Sequence, residues 1–347
     1  HLTCRPAIEA QYVDNAIHAN NNLQRKMIIA LRKNLELFFK VTSITWCYKG
    51  FYRYICLNIK IPLMKQIIVP IDFSEESLNG LKLAIIFANQ FKANIQMVYV
   101  QKPGSEIGRL DFQEEHKQAQ GAFEKIINDY SGTLYDPQRI EYHIKKGKIY
   151  QEVINQAEAF DESAIILSTH GTSGFEELFI GSNALKIISA SDLPVITVRH
   201  GAAVRKTENI VFPIDPSLVT RQKAPYTGFI AKTFGAEIQV LGVSSSSSPE
   251  AENRVAAYTK QVCEYFTEHG IKHKVTNRLG KGIANTVLEF ANEIRADLVS
   301  IMTEQSDSLS DFFLGTNAQQ MLSKSLIPVL NITPKEVSVK GSFSTSG

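Results

Sequence analysis

The sequence is short of several residue types, and each shortage excludes a class of protein. Four cysteines occur in 347 residues: Cys4, Cys47 and Cys56 precede residue 64, and Cys263 stands alone after it. A main body with one cysteine cannot form an internal disulfide, and the chain has no Cys-x-x-Cys or Cys/His spacing of a zinc site. These absences favour a reducing compartment. They predict a cytoplasmic protein without a structural metal.

Long uncharged apolar runs and a clustered basic face are also missing. Hydrophobic residues make up 44% of the chain and charged residues 21%, with a formal net charge of +2. The segment 1–63 holds nine Lys/Arg and three Asp/Glu, so the segment 64–347 carries 28 basic and 32 acidic side chains. Nucleic-acid binding needs clustered basic residues, and a membrane span needs about 20 predominantly apolar ones. The sequence therefore predicts neither nucleic acid nor a membrane as a partner.

The segment 1–63 differs in composition from the rest of the chain. It opens with His1, contains the only tryptophan, Trp46, and mixes apolar and basic residues without a sustained period. We expect residues 1–63 to be non-native or poorly ordered, with the first domain opening at Met64. Two alternatives stay open: a native extension, and a basic amphipathic helix over residues 25–39 that lies on a membrane surface.

The rest of the chain predicts two copies of one domain. An apolar run ends at Asp72, and a matching run ends at Asp215, which gives an offset of 143 between the two copies. Later segments match at an offset of 134, so the second copy is nine residues shorter. We expect one domain over 64–201, a second over 205–334, and a flexible tail over 335–347.

Within each copy, apolar strands alternate with amphipathic helices. That order predicts an α/β fold, here two tandem doubly wound parallel-sheet domains of Rossmann-like type. In such sheets, ligands bind outside the carboxyl ends of the strands, at the point where the strand order reverses. The strands predicted in the first copy are 66–71, 95–100, 139–144, 164–168 and 195–199. The segments just after 66–71 and 164–168 are therefore the candidate site.

A glycine-containing loop comes after the strand over 164–168. Its last glycine, Gly181, precedes Ser182, where we expect a helix over 182–190 with no acid in its first turn. Free N–H groups and the positive end of the helix dipole favour an anion there. The helix after the first strand carries Glu75 and Glu76 in its first turn and would repel one. The loop before Ser182 is therefore the predicted phosphate site.

This loop resembles the phosphate loop of the universal stress protein family. The ATP-binding members carry Gly-x-x-Gly, nine residues, and then Gly-Ser or Gly-Thr. Here Ser168 takes the place of the first glycine, and Gly171 and Gly181 supply the others. The family's apolar first strand, which ends in an aspartate, fits the strand that ends at Asp72. Both copies show the resemblance, which implies a tandem member of the family.

The resemblance implies a nucleotide site in the first copy. The base and ribose would contact Pro70, Ile71, Asp72 and Tyr99, and the end of the later strand would be lined by Leu167, Ser168 and Gly171. The phosphates would be held by Gly181, Ser182, Asn183 and Ala184. The implied cofactor is ATP, with or without Mg²⁺, and AMP is an alternative ligand. The implied protein contacts are pairing of the two copies through their last strands, 195–198 and 329–332, and a homodimer.

The second copy departs from the family pattern in its loop. It keeps Asp215 and Gly315, but both leading glycines are replaced, and Glu304, Asp307 and Asp311 add negative charge. A triphosphate of charge about −4 would be repelled there, and the backbone would accommodate it less readily. The sequence therefore predicts ATP binding in the first copy only.

Enzyme motifs are missing from the sequence. It has no Walker loop, no Gly-x-Gly-x-x-Gly after the first strand and no Gly-x-Ser-x-Gly. His170 lies in the glycine-containing loop, but no titratable partner for a general base is visible near it. The sequence therefore predicts a cytoplasmic ATP-binding stress-response regulator with at most slow ATP hydrolysis. The alternative is a nucleotide-free interaction scaffold in which both sites have decayed.

Overall fold

The structure is a computed structural model, and it describes residues 64–101, 109–169, 180–303 and 314–334. Several sequence expectations fall on residues outside these ranges. They concern the segment 1–63, the tail from residue 335 onward, the three acids of the second copy's loop, and both His170 and Gly171.

Each half of the described chain contributes five strands. Uninterrupted apolar runs form the central strands because a parallel sheet covered by helices on both faces buries their residues, whereas the two edge strands are partly exposed. Ile67, Ile68 and Val69, for example, are fully buried. The first half contains β1 (Gln66–Pro70), β2 (Asn94–Gln101), β3 (Ile140–Lys146), β4 (Ser163–Ser168) and β5 (Val195–Val198). The second contains β6 (Asn209–Ile214), β7 (Glu237–Ser244), β8 (His273–Leu279), β9 (Leu298–Met302) and β10 (Val329–Ile332).

Eight α-helices lie between the strands of the described ranges. Ser74 caps the first of them, as its sequence position predicts, because its hydroxyl accepts a hydrogen bond from the Ser77 N–H at 3.1 Å. The first half contains α1 (Glu75–Phe91), α2 (Arg109–Tyr130), α3 (Ile149–Glu158) and α4 (Ser182–Ala190). The second contains α5 (Ala224–Phe234), α6 (Pro249–Glu268), α7 (Ile283–Glu293) and α8 (Thr316–Lys324).

The strands form one ten-stranded sheet in the order β3-β2-β1-β4-β5-β10-β9-β6-β7-β8. Within each half all strand pairs are parallel, so each half is a doubly wound sheet. The predicted α/β fold class with two tandem domains is confirmed. The predicted strands of the first half end within two residues of the observed ones.

The two halves meet where β5 pairs with β10, and this pair alone among the described strands is antiparallel. Ile196 lies opposite Leu330, and both are fully buried. The Thr197 hydroxyl donates to the Val329 carbonyl at 3.3 Å. This is the pairing through the last strands that the resemblance implies, made within one chain.

The chain direction places helices on both faces of the sheet. From β1 the first half runs outward to β3 and then returns through β4 to β5, so right-handed crossovers place α1 and α2 on one face and α3 and α4 on the other. Side chains of α3, α4, α7 and α8 share one apolar cluster with strands of both halves. The strand order reverses between β1 and β4, and again between β6 and β9. The carboxyl ends of these strands are the places where a site is expected.

Candidate functional site

The end of β1 forms a tight turn around Asp72. The Ile71 N–H donates to the Val98 carbonyl at 2.9 Å, which keeps this residue in the sheet. One carboxylate oxygen of Asp72, Oδ1, accepts from the Ser74 N–H at 3.1 Å and from the Ser74 hydroxyl at 2.5 Å. Asp72 is exposed, and its Oδ2 has no hydrogen-bond partner within the described ranges. Asp72 therefore stabilises the turn and keeps one oxygen available.

Phe73, the next residue, has a left-handed backbone with a φ of 66°. This conformation is unfavourable for a bulky side chain and needs compensating contacts. The Phe73 ring supplies them, since it packs 5.0 Å from the ring of Tyr99 and 5.0 Å from that of Phe123. The aromatic contacts thus fix the turn that presents Asp72.

Tyr99 lies at the end of β2, and its side chain points to the face covered by α2. Its hydroxyl donates to Oε1 of Glu115 at 2.6 Å. Burial, this hydrogen bond and the charges of Glu115 and Asp72 raise the pKa of Tyr99 to about 12. Tyr99 therefore stays protonated at neutral pH and lies within the electrostatic reach of Asp72. Sequence reasoning missed Glu115, and no spacing rule links it to Tyr99.

The end of β4 lies beside β1. Leu167 is buried in the core and Ser168 is half-buried. Helix α1 packs closely here because it carries Gly80, where a Cβ atom would lie 3.3 Å from the Ser168 nitrogen. A side chain at Gly80 would therefore press on the strand end that the resemblance places next to the nucleotide.

Helix α4 begins as the sequence predicts, with Gly181 in the N-cap position. The Gly181 N–H donates to the Thr169 carbonyl at 2.7 Å, so it is already satisfied. The N–H groups of Ser182, Asn183 and Ala184 have no acceptor in the part of the chain that the structure describes. The first turn contains no acid and no side-chain cap. Three of the four expected phosphate contacts thus have a donor that meets no acceptor within the described ranges.

The predicted site residues fall into two groups at the same edge of the sheet. Pro70, Ile71, Asp72 and Tyr99 surround the ends of β1 and β2. The end of β4 and the start of α4 form the second group. The Tyr99 side chain lies on the α2 face, whereas Ala184 belongs to the apolar cluster of the opposite face. A ligand that contacts both groups would have to cross the sheet edge at the end of β1.

In the second half, the side chain of Lys223 lies at the corresponding strand end, that of β6. Its Nζ donates to the Pro213 carbonyl at 2.7 Å and to the Thr220 carbonyl at 2.6 Å. It also lies 4.4 Å from the centre of the Phe212 ring. Lys223 is 2% exposed. Burial lowers its pKa to about 7, and the nearby charge of Asp215 acts in the opposite direction.

Lys223 could have been found from the sequence, because the offset of 143 aligns it with Gly80. A cavity of about 40 Å³ remains beside it, lined among others by Asp215, Met302 and Asn317. That volume holds about two or three water molecules. Pockets for drug-sized ligands measure roughly 300–1,000 Å³. Among the described residues, the cavity beside Lys223 is therefore several times smaller than a pocket of that kind.

The starts of α4 and α8 differ less than the sequence suggests. Helix α8 also begins after a glycine, Gly315, without a side-chain cap or an acid in its first turn. Among the described residues, the N–H groups of Thr316, Asn317 and Ala318 also have no acceptor. These N–H groups thus do not distinguish the halves, although φ at the N-cap glycine is −55° at Gly181 and 24° at Gly315. The side chain of Lys223 does distinguish them.

Metal-ligating clusters and membrane-spanning helices are both absent from the described ranges. No group of three or more His, Cys, Asp or Glu residues there could hold a metal ion. None of the helices in these ranges is both long and apolar enough to cross a membrane.

Comparisons with known proteins agree with this architecture. A universal stress protein of Methanocaldococcus jannaschii is 26% identical over 147 residues, which are 40% of this chain and 83% of that protein. Universal stress protein G of Shigella flexneri is 28% identical over 40% of this chain and its own full length. The crystal structure of a universal stress protein from Archaeoglobus fulgidus covers 78% of this chain and 98% of its own, with 20% identity and a TM-score of 0.62.

The family model supplies the assignment. The model of the universal stress protein family matches residues 64–199 and again residues 206–332. These two matches cover most of the chain and coincide with the two parallel halves of the sheet. The chain therefore belongs to the universal stress protein family and carries two of its domains in tandem.

Proposed function

We propose that the first half binds ATP, with or without Mg²⁺, at the carboxyl ends of β1 and β4, and that the second half binds none. The chain would act in the cytoplasm as a nucleotide-dependent stress-response regulator, and AMP is an alternative ligand of the same site. The observation that carries the proposal is the position of Lys223. Where the second half buries this lysine, the first half has Gly80.

The start of α4 supports the phosphate end of the site. Three N–H groups without an acceptor in the described ranges point out of the helix, and no carboxylate lies in its first turn. An anion at such a position is stabilised by about 0.3–1 kcal/mol through the helix dipole alone. Lys186, whose ammonium lies 5.7 Å from the centre of the Tyr150 ring, adds positive charge one turn later. The residues named from the resemblance at this helix are thus chemically suited to phosphate.

The route from the site to the rest of the protein is short. Helix α4 leads directly into β5, and β5 pairs with β10 of the second half. Phosphate bound at the start of α4 would therefore contact an element that adjoins the junction of the two halves. We propose that nucleotide occupancy is read out at this junction or at a homodimer surface. Hydrolysis is not needed for such a readout.

Calorimetry on the full chain tests the proposal with a matched pair of variants. Ser182 and Thr316 are exposed residues in the same position of α4 and α8. A glutamate is well tolerated in the first turn of a helix, so neither change should disturb folding. We expect one ATP per chain, at least tenfold weaker binding in Ser182→Glu, and unchanged binding in Thr316→Glu. Two ATP per chain, or full affinity in Ser182→Glu, would contradict the proposal.

The alternative, a nucleotide-free interaction scaffold, draws on one observation. The Gly181 N–H, expected to face phosphate, is occupied by the Thr169 carbonyl. If this contact closes the phosphate end, the wild-type chain will release no heat with millimolar ATP. That result would favour the scaffold and end the nucleotide proposal.

A further inference from the structure

The hydrogen bond between Tyr99 and Glu115 joins the end of β2 to α2 beside the proposed site. Its length of 2.6 Å is short, as expected for a hydroxyl that donates to a carboxylate. Both side chains are half-buried. Tyr99 also packs on Phe73, the residue next to Asp72. The pair therefore lies next to the turn that presents Asp72.

The direction of the hydrogen bond between Tyr99 and Glu115 is fixed. Tyr99 stays protonated well above neutral pH because burial and the charges of Glu115 and Asp72 raise its pKa to about 12. Its one proton is used in the bond to Oε1 of Glu115. Glu115 Oε2 has no partner in the described part of the chain, and neither has Asp72 Oδ2. Around the Tyr99 hydroxyl, the described residues thus present two unpaired carboxylate oxygens and negative charge.

The second half lacks this arrangement entirely. At the offset of 143, Tyr99 aligns with Gly242, and the residue of helix α6 that faces Gly242 is Val255. Asn277 packs into the space over Gly242, where a Cβ atom would clash with it. Gly242 has no side chain that could bond to a carboxylate, so the second half cannot form the pair that Tyr99 and Glu115 make in the first.

The part of a nucleotide that suits two acceptor groups is the ribose. Its vicinal hydroxyls donate hydrogen bonds, and an acidic residue on the ribose hydroxyl is how many nucleotide sites select an unmodified sugar. A phosphate on either hydroxyl would instead meet the charges of Glu115 and Asp72. The repulsion between a phosphate and these carboxylates is stronger where water is partly excluded.

We propose that Glu115, held in place by the Tyr99 hydroxyl, is a specificity-determining residue of the first half that accepts a hydrogen bond from the ribose. The site then takes ribonucleotides with a free diol and rejects both 2′-deoxynucleotides and nucleotides phosphorylated on the ribose. Tyr99 is a positioning residue in this arrangement. The inference rests on the proposed nucleotide site.

The test compares two ligands on the same protein. Calorimetry of the full chain with ATP and with 2′-deoxy-ATP should show at least tenfold tighter binding of ATP, since an acceptor left unpaired by the deoxy sugar is unfavourable. In Glu115→Gln the preference should fall to about threefold or less. Glu114→Gln is the matched control, because Glu114 is the exposed neighbour on the same helix, and it should keep the wild-type ratio.

Two further measurements separate selectivity from general loss of structure. Adenosine 3′,5′-bisphosphate should bind more tightly to Glu115→Gln than to the wild-type chain, a gain that damage to the fold cannot produce. Tyr99→Phe should lower the ATP preference less than Glu115→Gln does.

The inference and the proposed function can fail separately. Equal wild-type affinity for ATP and 2′-deoxy-ATP, or an unchanged ratio in Glu115→Gln, would overturn the inference and leave the nucleotide site standing. Absence of ATP binding in the wild-type chain would overturn both.

Discussion

The two halves share a fold and differ in the residue beside the carboxyl ends of their central strands. We call this position the corner, and it is held by Gly80 in the first half and by Lys223 in the second. In the first half, Gly80 lets α1 approach the end of β4 and leaves the corner without a side chain. In the second, Lys223 reaches back to the end of β6, where it bonds to the Pro213 carbonyl, and it also bonds to the Thr220 carbonyl of the turn before α5. The two copies thus keep one architecture and differ at an aligned residue beside the strand end.

A second difference lies in the turn after the first strand of each half. In the first half Phe73 takes a left-handed backbone, its ring packs on Tyr99, and α1 begins at Glu75. In the second half Pro216 stands at the aligned position, and α5 begins only at Ala224. The later helix start places Lys223 in the N-cap position, from which its side chain can reach the strand end. The conformation of this turn therefore decides whether a lysine side chain can reach the strand end.

The largest effect is expected where the halves join. Ile196 is fully buried in the antiparallel pair of β5 and β10. Ile196→Asp buries a charge without a partner and should lower the free energy of unfolding by at least about 3–5 kcal/mol, or prevent folding. Val275→Asp on the edge strand β8, where the side chain is 47% exposed, is the control. Urea unfolding should show that Val275→Asp lowers the free energy of unfolding by less than about 1 kcal/mol. Equal losses in the two variants would contradict the central role of the pair of β5 and β10.

Moving the lysine tests the difference between the two corners most directly. Gly80→Lys introduces the second half's side chain into the first half, beside the Ser168 nitrogen. We expect ATP affinity, measured by calorimetry, to fall at least 100-fold, which corresponds to about 2.7 kcal/mol. Gly121→Lys on α2 adds the same charge in open space and should leave binding unchanged. Retained ATP binding in Gly80→Lys would show that the corner is not the site.

The buried lysine should also make the stability of the chain depend on pH between pH 7 and pH 10. The pKa of Lys223 is about 7 in the folded chain and about 10.4 in the unfolded one. Between these values the unfolded chain binds more protons, so the stability of the wild type rises with pH.

Lys223→Met removes this contribution. The free energy of unfolding of the wild type, relative to that variant, should therefore increase by on the order of 1–3 kcal/mol from pH 7 to pH 10. Urea unfolding of both proteins at the two pH values measures it. A constant difference would mean that Lys223 stays charged in the folded chain throughout this range.

The smallest expected effect concerns the ion pairs at the opposite edge of the sheet. In the second half the buried Asp297 accepts from the N–H groups of Glu208 and Asn209 and pairs with Arg205. In the first half Glu162 pairs with Lys65 at 2.6 Å near the surface.

Asp297→Asn replaces one accepting carboxylate oxygen with an NH₂ group, which can no longer accept a hydrogen bond. This change should lower the free energy of unfolding by about 1–3 kcal/mol. Glu162→Gln should change it by less than about 1 kcal/mol. Thermal or urea unfolding of both variants checks the order. An equal loss would show that burial does not distinguish the two carboxylates.

Most of the architecture could be predicted from the sequence, for identifiable reasons. The run from Ile67 to Val69 is apolar without interruption, so its strand is specified locally. The start of α4 at Ser182 is predicted by a glycine before an apolar helical period, and its predicted bounds are the observed ones. The repeat itself is visible as similar runs that recur at an offset of 143 and then of 134.

The contents of the site could be predicted only in part. The free donors of Ser182 to Ala184 result from helix geometry, which leaves the first N–H groups of any helix unpaired. The hydrogen bond of the Gly181 N–H does not result from helix geometry, since its acceptor at Thr169 lies twelve residues earlier in the chain. The bond between Tyr99 and Glu115 also depends on how α2 packs on the sheet.

By itself the sequence determined the order and type of the elements, the duplication and the helix start that suits an anion, because these depend on periodicity and neighbouring residues. Tertiary structure decided what fills each corner. Whether Lys223 reaches solvent or the end of β6, and whether Glu115 meets Tyr99, depends on distances between elements far apart in the chain. No local pattern encodes such distances, because they are set when helices and strands pack into one core.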